Sequence, residues 1–89
     1  MLTLPSTLTN REANACLQQL QRGLAQVPAG SAAVVDASAL AVFDSAALAV
    51  LLECRRAALS AGKTLQVQGL PAAAASLARL YGVDALLQG

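Results

Sequence analysis

Apolar and polar positions change their period several times along the chain, and each change predicts an element. The opening MLTL alternates and then meets Pro5, which reads as a short strand ended there or pushed to a sheet edge. After Leu8, the sequence TNRE sets Thr9 and Glu12 three residues apart. That is the spacing of a capping box, in which hydroxyl and carboxylate satisfy free backbone N–H groups. Ala13, Cys16, Leu17, Leu20 and Leu24 then recur at helical spacing, with Arg11, Gln18, Gln21 and Arg22 largely off their stripe. The pattern predicts an amphipathic helix over about residues 10–26, broken by VPAGS. AAVVDAS is apolar and too short for a helix, and reads as a buried central strand ending at Asp36. The connector ALAVF has no period that assigns it. From Ser45 to about Ser60 the pattern is helical again, with Gly62 as the stop. TLQVQGL alternates, Leu65 and Val67 to one side and Thr64, Gln66 and Gln68 to the other, as a half-exposed strand does. Pro71 opens a third helix at a position where a missing N–H does no harm, Gly82 closes it, and VDALL follows as a turn or short helical segment.

Strand and helix alternate three times within 89 residues, with no repeat or linker. This predicts one α/β domain over residues 1–89, its parallel strands joined by right-handed crossovers and covered by helices. Three strands make a thin sheet for this class, one that something else covers or extends.

Composition restricts the chemistry. Hydrophobic residues make up 56% of the chain, much of it alanine, with no Trp, one Phe (Phe43) and one Tyr (Tyr81). Small residues favour helix and close packing but bury little area each, so such a core leans readily on a partner. Six basic and five acidic residues are scattered singly, apart from Arg55 and Arg56, and leave a net charge of +1. No concentrated positive field is available for nucleic acid. No apolar run approaches the roughly 18 residues of a membrane span, and the N-terminus lacks the basic region of a signal peptide, so the expected location is cytoplasmic. Cys16 and Cys54 read as small buried hydrophobes, and without a CxxC spacing they make no metal site. The absence of histidine removes the commonest general base and zinc ligand together. Neither a G-x-S-x-G elbow nor a phosphate-binding G-x-x-x-x-G-K-[ST] loop occurs. Asp36 and Asp44 are the remaining carboxylate candidates, at a separation the sequence does not set. No catalytic residue, cofactor or metal is therefore assigned, and the chain is not expected to be an enzyme.

The most polar pair of the middle segment, Asp44 and Ser45, stands directly before seven apolar residues. Both residue types are preferred helix caps, and Asp44 suits the positive end of the helix dipole. Along that helix Leu48, Leu51, Leu52, Arg55 and Leu59 form the predicted core face, with the Arg55 head reaching outward and Val50, Cys54 and Ala57 widening it. Ser45, Ala46, Ala49, Glu53 and Arg56 fall on the opposite side. Near the helix start this side is small and uncharged, where a solvated turn more often carries acids. A smooth alanine face admits a second backbone at close range, although exposed alanines also simply favour helix. Asp44, Ser45, Ala46, Ala49 and Glu53 are thus the candidate partner interface. Tyr81 joins them from the last helix, unless its ring is core with the hydroxyl at the rim.

The stretch VVDASALAVFDSAALAVLLECRRAALSAGKTLQVQGLP, followed by LARLYGVDALL, resembles the STAS domain, the fold of bacterial anti-sigma factor antagonists, over about residues 1–88. The resemblance implies a STAS-like α/β fold, a small mixed β-sheet packed with about three to four helices. It also implies one or two strands before the first helix; with MLTL alone there, a family strand is missing or shortened. In the antagonist branch the serine at the helix start, here Ser45, is phosphorylated by a partner anti-sigma factor kinase. About two negative charges then enter a contact that must otherwise be neutral. That branch shows DSSGLG where this chain reads DSAALA, with Ala47 and Ala49 in place of the glycines. The cytoplasmic STAS subunit of the Mla-type phospholipid-transport ABC complex is more similar, in DSAALAVLLECRRAA and in the match at Leu80, Tyr81 and Gly82. That likeness implies a non-enzymatic accessory subunit. Such a subunit binds the transporter's cytoplasmic ATPase, supports its assembly and activity, and reaches the inner membrane only through that partner.

Overall fold

The computed structural model describes residues 2–83 and 86. In chain order the elements are β1 (Leu2–Thr3), β2 (Thr7–Leu8), α1 (Ala13–Ala25), β3 (Ala32–Asp36), β4 (Val42–Phe43), α2 (Ser45–Ser60), β5 (Thr64–Gln68) and α3 (Ala72–Leu80). The strands form a three-stranded sheet in the order β1-β3-β5 and a two-stranded sheet β2-β4. Every ladder among the described residues is parallel, as the alternation of strand and helix requires. The α/β class and the STAS-like arrangement of helices on a small sheet stand as the resemblance implies, but the sheet is parallel among the described residues and not mixed.

The two sheets are one ladder interrupted. β1 pairs with β3 at Leu2↔Val35 and Thr3↔Asp36, and the Leu4 N–H continues the pairing to the Asp36 carbonyl at 2.9 Å. Pairing resumes where the Ala41 and Val42 N–H groups both reach the Ser6 carbonyl, at 2.8 and 2.9 Å, and lead into Thr7↔Val42 and Leu8↔Phe43. Between the two stretches Leu4–Ser6 face the longer Ala37–Ala41, so the second strand bows outward. Its bend begins where the Asp36 carboxylate accepts the Ser38 N–H at 2.9 Å. Two strands therefore precede α1, each only two residues long, so the strand in question is shortened and not missing. The connector ALAVF contains β4 and the buried Leu40.

The register places Leu2, Ala33, Val35, Leu65 and Val67 on one sheet face, where Ala33 and Val35 are fully buried. α1 and α2 pack on each other and against β1 and β5 respectively. The opposite face carries Thr3, Thr64, Gln66 and Gln68 in solvent. Alanine is structural here: Ala33, Ala37, Ala47, Ala58, Ala74 and Ala78 are all in the core, and the last two are the buried positions of α3. With Ala74 and Ala78 as its fully buried positions and Leu77 packed at their side, α3 is held largely by close approach.

Several boundaries and faces differ from the sequence pattern. α1 starts at Ala13, not near residue 10, because residues 9–12 form a separate turn closed by the Glu12 N–H on the Thr9 carbonyl at 3.1 Å. The capping pair survives in altered form. The Glu12 carboxylate accepts both the Thr9 N–H, at 3.0 Å, and the Thr9 hydroxyl, at 2.7 Å, and the hydroxyl accepts from Arg11. In α2 the buried residues are Ala47, Leu48, Val50, Leu51, Cys54 and Ala58. Leu59 is exposed, and Leu52 and Arg55 are half-buried, so the predicted core face is rotated by roughly a quarter turn. Side-chain size misleads at this point: Ala47 and Ala58 go inward because they let α2 sit close to its neighbours. Of VDALL, only Val83 and Leu86 lie within the described residues.

The end of α2 positions a buried charge. Gly62, at φ +74°, donates to Leu59, and Lys63 N–H donates back to Ala58 at 2.8 Å, the paired closure that only a left-handed residue allows. The Lys63 side chain then runs inward, 9% exposed, and its Nζ donates to the Leu24 carbonyl at the end of α1 at 2.8 Å. A cation there complements the negative end of the α1 dipole, and it adds a charged donor to a carbonyl that also accepts the Val27 N–H at 3.0 Å. Lys63→Met keeps the aliphatic stem and removes the donor. It is expected to cost about 2 kcal/mol, read as a fall in melting temperature of roughly 8–16 °C. A melt matching the wild type would show that the backbone donors alone satisfy Leu24 and that the charged bond adds no net stability.

Candidate functional site

The N-terminal halves of α1 and α2 do not close on each other. Between them lies an open groove of about 480 Å³, lined by Asn10, Ala13, Asn14 and Leu17 on one side and by Asp44, Ser45, Ala46, Ala49, Val50 and Glu53 on the other. The sequence explains the gap: Ala13, Ser45, Ala46 and Ala49 are too small to fill the space between two helix backbones.

Asp44 builds the entrance. It is the extended residue before α2, and its Oδ1 accepts the Ala46 N–H at 2.8 Å, an N-cap of the expected kind. Its Oδ2 accepts the Asn10 N–H at 3.2 Å, from the turn ahead of α1. Ser45 is the first helical residue, so the cap belongs to Asp44 alone and the Ser45 side chain stands exposed beside it. Ala46 is half-buried and Ala49 exposed; neither is packed into the interior of the domain. Glu53 closes the far end and pairs with Arg56 at 2.7 Å. With the two side chains 48% and 79% exposed, this pair contributes a few tenths of a kcal/mol.

Five of the six candidates from the sequence thus line one groove. Tyr81 does not. It ends α3, is 57% exposed, and is therefore neither core nor part of the groove wall. The α1 wall was hidden in the sequence because Ala13 and Leu17 belong to the helical core stripe and are only partly covered. Asn10 and Asn14, four residues apart and uncharged, were the available signal, since a freely solvated helix edge more often carries charge.

Hydrogen bonds from Ser38, side chain and then backbone, hold the Asp36 carboxyl below its ordinary range. Hydrogen bonds from the Thr9 hydroxyl and then its backbone N–H likewise hold Glu12 low. Burial pushes the Cys16 and Cys54 thiols up, away from the nucleophilic thiolate. Among the described residues no group of three or more His, Cys, Asp or Glu side chains could hold a metal ion. No helix among them is long and apolar enough to cross a membrane.

Helices on one face of a thin parallel sheet, with an open small-residue groove between two of them, define a compact α/β domain whose prominent surface feature is suited to contact. A family model described as "Mlab, STAS domain" matches residues 1–88, and the chain belongs to that STAS-domain family. It is accordingly a small protein-interaction domain. No curated protein matches the sequence.

Proposed function

We propose that this protein is a non-enzymatic accessory subunit of a Mla-type phospholipid-transport ABC complex. In this role it binds the complex's cytoplasmic ATPase through the α1–α2 groove and supports the ATPase's assembly and activity. One observation carries the reading: in a chain of the Mlab/STAS family, the alanine face of α2 is left uncovered, with Ser45 and Ala49 exposed beside the Asp44 cap. Methyl groups and a hydroxyl at a groove allow a second polypeptide to approach closely without stranding charge.

Ser45 tests the reading. Ser45→Glu places a carboxylate in the first turn of α2, where the helix dipole favours it, so the fold is expected to remain intact. In a dry contact the same charge is expected to lower affinity for the ATPase by about tenfold or more, whereas Ser45→Thr is expected to bind like the wild type. Titration calorimetry with the purified ATPase decides the matter; equal affinity for the Glu variant would remove Ser45 from the contact. The exposure of Ser45 also favours a second reading, an anti-sigma factor antagonist switched by a kinase at this hydroxyl. Substantial phosphate on Ser45 in protein taken from cells, detected by mass spectrometry, would select it.

A further inference from the structure

Asp44 touches both walls of the groove. Oδ1 holds the first turn of α2 through Ala46 N–H at 2.8 Å, and Oδ2 holds the turn ahead of α1 through Asn10 N–H at 3.2 Å, from 34 residues away in sequence. A cap needs only one oxygen. The second bond fixes Asn10, and with it the start of the wall that continues through Ala13, Asn14 and Leu17. The Thr9–Glu12 bonds brace the same turn, the Leu8↔Phe43 pairing brings it beside Asp44, and the second carboxylate oxygen ties it to the first turn of α2. We propose that Asp44 is a positioning residue which joins the two helix starts, so that the partner meets α1 and α2 as a single surface. The inference rests on the reading of the groove as the docking surface.

Side-chain chemistry separates the two bonds. Serine caps a helix about as well as aspartate, but its single oxygen on a shorter arm keeps the Ala46 bond and loses Asn10. In Asp44→Asn the amide oxygen still caps α2, while the amide nitrogen, a donor, faces the Asn10 donor. Both variants are expected to melt close to the wild type. Amide exchange at Asn10, followed by NMR, is expected to speed up about tenfold, and affinity for the purified ATPase to fall by about tenfold. Wild-type affinity in Asp44→Ser with the Asn10 amide released would overturn the inference, and so would an Asn10 amide as protected as before. Ala49→Arg, measured alongside, separates the two ideas. If it abolishes binding while Asp44→Ser does not, the docking reading stands and the positioning role falls. If Ala49→Arg binds normally, or the wild type does not bind the ATPase, the docking reading fails and takes this inference with it. The Asn10 exchange rate still reports on the bond itself.

Discussion

Ala49→Arg is expected to abolish binding to the ATPase while leaving the domain folded. Ala49 is exposed in the second turn of α2, on the groove wall, and arginine is a good helix former, so stability should change by no more than about 0.5 kcal/mol. In the complex the outcome is different. The guanidinium would enter a contact built of Ala13, Leu17, Ala46 and Val50, with Glu53 one turn away already paired to Arg56. Seating an unpaired cation there, or holding the partner off to keep it wet, is expected to cost about 3 kcal/mol or more, a hundredfold or greater loss of affinity. A melt and a calorimetric titration on the same sample read both halves. Wild-type affinity would remove this face of α2 from the interface, and a collapsed melt would mean that Ala49 is not the surface residue described above.

The largest effect on stability is expected at Leu8. This residue belongs to a two-residue strand, yet its side chain is fully buried in the common core. Its backbone neighbour across the ladder is Phe43 of β4. Truncation to alanine removes most of the side chain from a region closed by short, stiffly paired strands, where collapse around the void is limited. Leu8→Ala should therefore cost about 3 kcal/mol. In a domain of this size that lowers the melting temperature by roughly 12–24 °C and consumes a large part of the total stability. A cost below about 1 kcal/mol would mean that β2 and β4 are a loose extension and not part of the core.

These two residues also mark what the chain discloses before folding. Ala49 could be placed on the outer side of α2 from periodicity, because a long helix fixes the angular position of each residue. The α1 stripe, the central β3, the half-exposed β5 and the glycine stop at Gly62 were legible for the same reason: each carries several residues of one period. Leu8 was not, since two residues make no period, and β2 and β4 exist only because each supplies the other's hydrogen bonds across 35 positions of sequence, as Leu8↔Phe43 illustrates. The rotation of α2 is not legible in the pattern because hydrophobicity ranks leucine above alanine, whereas close packing puts Ala47 and Ala58 inside and leaves Leu59 outside. The candidate site divides along the same line. Its α2 wall is local and follows from the sequence at Asp44, Ser45, Ala46, Ala49 and Glu53, while Val50, assigned there to the core face, also lines it. Its α1 wall, and the Asp44–Asn10 bond that joins the two, are tertiary and required coordinates.

The Mla-type role depends on a single physical claim, that the methyl groups lining the groove are covered by a second polypeptide. Methyl NMR tests it directly. With ¹³C-methyl alanine in this chain and unlabelled ATPase added, the Ala13, Ala46 and Ala49 methyl signals are expected to shift and to show contacts to the ATPase, while those of the buried Ala33, Ala58 and Ala78 stay in place. Unmoved Ala46 and Ala49 signals in a formed complex, with changes confined to other alanines, would contradict the account.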